Sequence, residues 1–255
     1  MPVVVVEKQT PQITLLTLNR PEQRNAISIE LLIGLADAIS AVENDPAQRI
    51  LMLRGAGAVF CAGLDLKEAR DLSRAKQSAE LVGQCLVALS ETRLVTLALV
   101  HGAAIAGGAG LMSACDFVVA TQGSKIGYPE VRRGLVAGLV MTFLRRQLRE
   151  RDIRELLLTS ELIDAERARQ IGLVNRVVPE KDLMTEARKI ADAVLQGAPG
   201  ALTNSKRLLA ELWPTSVRDD VTRALRDHMQ ARESGEAKEG IAAFAEKRQP
   251  NWLKT

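Results

Sequence analysis

The hydrophobic and polar positions of this chain follow two periods, and each change of period marks a predicted element. Residues 3–8 and 13–19 are β-rich runs separated by Thr10, Pro11 and Gln12, a pattern typical of a hairpin. Residues 29–44 then carry apolar side chains at helical spacing, and Ser28 can cap that helix. Because strands and helices alternate as far as Val178, the pattern predicts a layered α/β fold.

The other elements of this part are shorter. Strands are predicted at 50–53, 94–100, 115–120 and 174–178, and helices at about 76–92 and from Asp164 to Gly172. Residues 124–130 read as an extended segment that ends in the carboxylate of Glu130. The arginine-rich residues 141–154 predict two short, solvated helices.

Beyond Val178 the periodicity is helical throughout, with helices predicted at 182–196, 201–212, 216–232 and 236–246. The run Gly197-Ala198-Pro199-Gly200 interrupts this pattern and predicts a boundary. We therefore expect a core region at 1–196 and a helical region at 197–255. Because the second region has too little apolar area for a core of its own, we expect it to dock onto another subunit and to serve oligomerisation.

The composition narrows the class of protein. Aromatic residues make up only 3% of the 255, so the core must be built from aliphatic side chains. A net charge of +3 is too small to argue for nucleic acid. Three dispersed cysteines and two distant histidines argue against disulfides and a metal site, and for a reducing compartment. Since neither a signal peptide nor a membrane-spanning run is evident, we expect a cytoplasmic protein.

Two glycine-containing turns are the candidates for chemistry. The first, residues 102–110, follows the strand 94–100 and opens a helix of small residues. Glycine lets a ligand approach the backbone, and the free N–H groups of a helix start suit an oxygen that becomes anionic. Residues 55–68 form a second turn of this kind. Together the two turns can supply two backbone N–H donors. The alternative explanation is that the glycines only allow a helix to pack tightly on a strand.

Four segments then occur in an informative order and spacing: Leu18-Asn19-Arg20-Pro21 with Asn25-Ala26, the run 60–66, residues 100–116, and residues 243–248. Together they resemble the crotonase (enoyl-CoA hydratase/isomerase) superfamily over nearly the whole chain. The resemblance implies an α/β fold, a crotonase-like spiral of ββα units followed by a C-terminal helical trimerisation region. It also implies a trimer or a dimer of trimers.

By the same resemblance, the substrate is an acyl-CoA thioester whose carbonyl oxygen becomes an enolate held by two backbone N–H groups. At the matching positions these donors are Ala62 and Gly107. Coenzyme A is then part of the substrate, and no metal or redox cofactor is implied. The expected partners are acyl-CoA and further copies of this chain, with neither a membrane nor nucleic acid.

The side chains around the enolate select the reaction. Hydratases of this superfamily carry two glutamates that hold a water, at positions matching Gly110 and Glu130, and the first is absent here. Dienoyl-CoA isomerases of this superfamily place aspartates at two positions that are Gly110 and Gly138 here. Because both aspartates are absent, we do not expect that activity. A single carboxylate, at Glu130, resembles the pattern of the enoyl-CoA isomerases, which move a double bond from the 3- to the 2-position.

We therefore favour isomerisation with Glu130 as the acid/base. Hydration by one glutamate is the first alternative, and decarboxylation or cleavage through the same enolate is another. For Glu130 itself, the alternative is a structural or solvent-exposed carboxylate without a catalytic role. A raised pKa, as burial would cause, would suit the catalytic role.

The resemblance also implies a set of substrate-binding residues: Arg24, Leu64, Asp65, Leu66, Gly110, Phe244 and Lys247. Arg24 and Lys67 could meet the CoA phosphates, or simply be solvated. Phe244 and Lys247 are expected to complete the CoA pocket of a neighbouring subunit.

A non-catalytic or RNA-binding relative is the alternative from another class. RNA would require a contiguous basic stripe, and the candidate cluster is Arg145, Arg146, Arg149, Arg151 and Arg154. Acidic residues at 150, 152 and 155 interrupt that cluster, which disfavours the binding role.

Overall fold

A computed structural model describes residues 2–65, 68 and 71–253. Strands β1 (Val4–Thr10) and β2 (Ile13–Leu18) form the predicted antiparallel hairpin. Within the described residues they begin a sheet ordered β1-β2-β3-β4-β6-β9, in which every pair after the hairpin is parallel. The other strands of this sheet are β3 (Ile50–Gly55), β4 (Val95–Val100), β6 (Phe117–Thr121) and β9 (Arg176–Val178).

A smaller sheet lies beside the large one and is ordered β5-β7-β8. Its strands are β5 (Ala103–Ile105), β7 (Lys125–Gly127) and β8 (Ile163–Asp164). Single bridges between Ile27 and Leu64, and between Cys61 and Ala104, extend it toward the N-terminal part. Each turn of the chain therefore gives one strand to the large sheet and one extended segment to this smaller layer. This is the predicted spiral of ββα units.

Helices follow these strand pairs: α1 (Ile29–Glu43), α2 (Leu72–Glu91) and α3 (Gly107–Ser113). The Ser28 side chain accepts a hydrogen bond from the Leu31 N–H, as the sequence predicts for a cap. Helix α2 begins earlier than expected because the Asp71 side chain caps it by accepting from the Ser73 N–H. Side-chain caps therefore decide where these two helices begin.

The main core is aliphatic and lies between the large sheet and helices α1 to α3. The opposite face of strands β2 to β4 is covered by helix α7 (Leu183–Leu195), which buries Ala187 and Ala191 there. Both faces of these strands are buried, which explains their continuous runs of apolar residues.

Residues 141–154 differ from the prediction. Helices α4 (Gly138–Gln147) and α5 (Glu150–Arg154) are short, but α4 is not a solvated helix. It buries Leu139, Val140 and Phe143 because helix α9 (Val217–Arg232) packs along it. The prediction missed this apolar face because the range 141–154 begins after Leu139 and Val140 and is dominated by arginines.

The segment ending at Glu130 also differs from the prediction. It is extended only in β7 and then forms a 3-10 turn, Pro129–Arg133. Pro129 takes the first helical position, which suits its fixed φ and missing N–H. Glu130 therefore lies in a helical turn rather than at the end of a strand. A further helix, α6 (Ala165–Gln170), begins where predicted, and the Asp164 side chain caps it by accepting from the Arg167 N–H.

The C-terminal part comprises α8 (Pro199–Glu211), α9 and α10 (Gly235–Ala245). Helix α9 packs on α2 and α4, and α10 packs on the 129–133 turn. Helix α8 leaves apolar side chains exposed on its surface. The division at residue 196 stays a prediction. No described helix is both long and apolar enough to cross a membrane.

Candidate active site

A cavity of about 550 Å³ lies where the turns of the spiral meet the C-terminal helices. Residues 20–26 and 62–65 form one wall, and the start of α3 lies beside them. Helices α4 and α9 form a second wall, and the 129–133 turn with α10 forms a third. Elements far apart in sequence thus converge on one space.

The two glycine turns lie side by side at this cavity. The Cys61 N–H donates to the Ala103 carbonyl, and the Ile105 N–H donates to the Cys61 carbonyl, both at 3.0 Å. Gly63 has a φ of +89°, and a Cβ there would lie 2.8 Å from the Ile105 carbonyl oxygen. Only glycine allows the two turns to approach this closely.

The predicted donor Ala62 is wrong, because its N–H is already used. It donates to the Arg24 carbonyl oxygen at 3.0 Å. Leu64 is the residue whose N–H stays available: among the described residues no acceptor lies within hydrogen-bond distance of it. The Ile27 carbonyl accepts instead from Asp65, at 2.9 Å. Leu64 also lines the cavity and Gly63 does not, so Leu64 is the candidate donor among the described residues of this turn.

Gly107 provides the second available N–H. It is the first residue of α3, and the first N–H groups of a helix have no acceptor within the helix. Like Leu64, Gly107 lines the cavity. The two turns therefore each offer one backbone donor to the same space, with Leu64 in the place that the sequence assigned to Ala62.

Glu130 lines this cavity and is buried. It is 8% exposed, and its Oε2 atom is buried without a hydrogen-bond partner among the described residues. Burial raises the pKa of Glu130 to about 7, against a smaller opposing effect of Arg133. A carboxyl group with this pKa can both take and return a proton near neutral pH.

Gly110 is buried behind the cavity wall rather than on it. A Cβ at Gly110 would lie 2.6 Å from Val140 Cγ1 and 3.6 Å from Leu86 Cδ2. Val140 itself lines the cavity, so it occupies the space into which a longer side chain from Gly110 would extend. Among the described residues, the carboxylates that line the cavity are Glu130 and Asp65.

The other predicted binding residues divide into three groups. Arg24, Leu64, Asp65 and Phe244 line the cavity. The Asp65 carboxylate also holds the Arg20 guanidinium at 2.8 Å, which ties the two N-terminal loops together. Gly110 and Lys247 are not brought to the cavity. Leu66 and Lys67 lie outside the described residues.

Phe244 lines the cavity of its own chain, and its expected contribution to the site of a neighbouring subunit stays a prediction. Its ring lies under the Arg133 guanidinium, 4.0 Å from ring centroid to Cζ. The cause is helix α10, which packs back against the 129–133 turn.

Three basic residues of the cavity were missed by the sequence reasoning: Arg133, His228 and Arg232. The His228 Nδ1 atom lies 3.0 Å from the Val136 carbonyl oxygen, and burial lowers the pKa of His228. A signal was present, because Val221, His228 and Arg232 share one face of α9. Polar residues on the buried face of an amphipathic helix indicate a site.

Comparisons with known proteins find relatives along the whole chain. A family model described as enoyl-CoA hydratase/isomerase matches residues 8–255. The chain is 34% identical to a crotonyl-CoA hydratase of Syntrophomonas wolfei over 259 residues, covering 98% of this chain and 97% of that protein. It is 35% identical to a mevalonyl-coenzyme A hydratase of Aspergillus fumigatus over 254 residues, covering 97% and 94%.

Solved structures give the same result. An enoyl-CoA hydratase structure from Mycobacterium avium is similar with a TM-score of 0.87 and 32% sequence identity. The match covers 99% of this chain and 100% of that one. The similarity therefore includes both the spiral and the C-terminal helices.

Proposed function

Because the chain belongs to the enoyl-CoA hydratase/isomerase family, we propose that it acts on an enoyl-CoA thioester, with Glu130 as the acid/base. Double-bond isomerisation from the 3- to the 2-position is the favoured reaction. The observation that carries this proposal is the buried Glu130 carboxylate, which lines the same cavity as two available backbone donors.

The Leu64 and Gly107 N–H groups are the proposed oxyanion donors. Both come from rigid turns, so they need not reorganise when negative charge develops on the thioester oxygen. Each such donor typically stabilises the transition state by about 3 to 4 kcal/mol. Because these donors stabilise the developing enolate, the C–H next to the thioester becomes acidic enough for a carboxylate to deprotonate it.

Glu130 then moves one proton. Its carboxylate takes the proton from C2, the electrons of that bond form the enolate, and the dienolate is reprotonated at C4 by the same carboxyl group. No water takes part in this sequence. A single carboxyl group with a pKa of about 7 suits both steps.

Hydration of a 2-enoyl-CoA is the second candidate. It is favoured by the names of the relatives, which include hydratases from two organisms. Two carboxylates would share acid and base work on the water, but here Asp65 is paired with Arg20. Val140 fills the space beside Gly110. Hydration would therefore depend on Glu130 for both proton transfers.

The test compares 3-enoyl-CoA and 2-enoyl-CoA substrates with wild type and Glu130→Gln. We expect the substitution to lower kcat by about 10²- to 10⁴-fold. Glu180→Gln, at an exposed glutamate outside the cavity, is the control and is expected to keep wild-type turnover. Unchanged turnover in Glu130→Gln would remove this residue from the mechanism, and faster hydration than isomerisation would reverse our order of the two reactions.

Self-association is also part of the proposal. We expect a trimer or a dimer of trimers, with helix α8 and the C-terminal residues in the interface. Its support is the apolar surface of α8 and its C-cap, where Leu208, Leu209 and Leu212 are exposed in the single chain.

A further inference from the structure

Arg133 is a half-buried cation that the proposed reaction does not use. It lies three residues after Glu130 in the 129–133 turn and lines the cavity. Its Nε atom is buried without a hydrogen-bond partner among the described residues. Among the residues that the structure describes, no carboxylate forms an ion pair with the Arg133 guanidinium within 4.0 Å, and Glu130 acts on it only through its charge.

The surroundings of Arg133 fit an anion that enters from outside. Burying a guanidinium without an ion-pair partner is costly, and burial lowers the pKa of Arg133. The Phe244 ring stacks on the guanidinium and so restrains its plane. A restrained guanidinium offers a fork of N–H donors that matches a carboxylate. Arg232, 2% exposed, is a further basic side chain of the cavity.

The position of Arg133 decides which part of the substrate it meets. The proposed base must reach the acyl carbons C2 and C4, and Arg133 follows it in the same turn. Two other arginines of the cavity, Arg20 and Arg24, belong to the loop on another wall. An anion at Arg133 is therefore part of the acyl group rather than a phosphate of coenzyme A.

We propose that the natural substrate carries a carboxylate on its acyl chain and that the Arg133 guanidinium binds it. This inference rests on the proposed function, because it specifies the acyl group of that enoyl-CoA. Glu130, the nearest acidic group of the cavity, disfavours a second negative charge beside itself. The substrate carboxylate must therefore lie on the Arg133 side, away from the reacting carbons.

The test measures binding, which needs no turnover. Saturated acyl-CoA pairs of equal chain length, adipyl-CoA against hexanoyl-CoA and glutaryl-CoA against valeryl-CoA, are titrated by calorimetry. We expect wild type to bind at least one acidic ligand about tenfold or more tightly than its neutral counterpart, since a charge-assisted hydrogen bond is worth that much.

Variants assign the preference to Arg133. Arg133→Met is expected to bring the affinity ratio of the preferred pair close to one, and Arg133→Lys is expected to retain part of it. Arg132→Met is the matched control, because Arg132 is the adjacent exposed arginine outside the cavity. If Arg133→Met does not fold, the wild-type ratio and the lysine variant decide the matter.

Two outcomes would overturn the inference. Equal affinities in both pairs would show that wild type does not recognise an acyl carboxylate. An equal loss of affinity for both ligands of a pair in Arg133→Met would place the anion on coenzyme A. Failure of the proposed function gives a different result: no enoyl-CoA, acidic or neutral, would be turned over, while the binding ratio would stand.

Discussion

Glu130 is the residue at which function and stability oppose each other. Its carboxyl group is buried with one oxygen lacking a partner among the described residues, so its ionised form is poorly solvated in the folded protein. In the unfolded chain the same group meets water and has its ordinary pKa. The folded state therefore binds the proton more tightly than the unfolded state does.

This difference predicts how stability depends on pH. The pKa of Glu130 rises from 4.5 to about 7 on folding, so between these values the folded state holds more protons. The contribution of Glu130 to the free energy of unfolding is then complete below pH 4.5 and is lost as pH rises through 7. We expect Glu130→Gln to raise the free energy of unfolding by about 1 to 3 kcal/mol at pH 8.

Urea unfolding of wild type and Glu130→Gln at pH 5 and pH 8 measures this difference. At pH 5 we expect the two proteins to differ much less than at pH 8, because Glu130 is then largely protonated in the folded state. A gain of the same size at both values would mean that ionisation of Glu130 is not its source.

At the scale of elements, helices α3 and α4 meet where Gly110 faces Val140. The missing side chain of Gly110 allows Val140 to occupy the space beside it. A helix interior otherwise favours alanine over glycine by about 1 kcal/mol. The packing of two helices thus explains why glycine is present in α3.

This contact predicts that the effect of Gly110→Ala on the free energy of unfolding depends on the side chain at position 140. In wild type, Gly110→Ala is expected to lower the free energy of unfolding by about 1 to 2 kcal/mol, because the new methyl group meets Val140. In a Val140→Ala background the same substitution should be neutral or stabilising. A double-mutant cycle of unfolding free energies measures the coupling, and strictly additive effects would contradict this account.

The two glycine turns form another pair of elements that packing holds together. Gly63→Ala places a Cβ against the Ile105 carbonyl in a backbone conformation that alanine rarely adopts. The turns must then separate, and the Leu64 N–H moves away from the thioester oxygen. We expect kcat/KM to fall by about 10²-fold or more.

Gly123→Ala is the control for this experiment, because a Cβ at Gly123 meets nothing within 4 Å. Steady-state kinetics on the same enoyl-CoA substrate compares the two variants. If Gly63→Ala keeps wild-type kcat/KM, the closeness of the two turns is not needed for catalysis.

At the scale of the whole molecule, two surfaces decide what the chain can associate with. The arginine cluster at 145–154 is neutralised in part, since Arg146, Arg149 and Arg154 pair with Asp220, Asp152 and Glu150. This pairing weakens the alternative of RNA binding. Helix α8 instead exposes Leu209, at 69%, and Leu212 at its C-cap is exposed at 74%. An apolar surface of this kind indicates association with protein.

The proposed assembly can be tested on that surface. We expect the double substitution of Leu209 and Leu212 by lysine to convert the oligomer into a smaller species, because two charges would be buried in the interface. Sedimentation equilibrium measures the mass, and Ile33→Lys, on α1, serves as the control at another exposed apolar residue. A wild-type protein that sediments as a monomer would contradict the expectation.

The sequence by itself determined the features that depend on neighbouring residues. The alternation of strand and helix, the cap at Ser28, the two glycine turns and the carboxylate of Glu130 are all written in local pattern. The family resemblance rests on the same local motifs, and it led to the spiral fold.

Only the tertiary structure decided which groups are free to act. An N–H is available or used according to what packs against it: the Ala62 N–H donates to the Arg24 carbonyl, whereas no described residue accepts from the Leu64 N–H. Burial of Glu130, and the meeting of Arg133 with Phe244, likewise depend on elements over a hundred residues apart. Such long-range contacts leave no periodic trace in the chain, because they arise only when the spiral closes on the C-terminal helices.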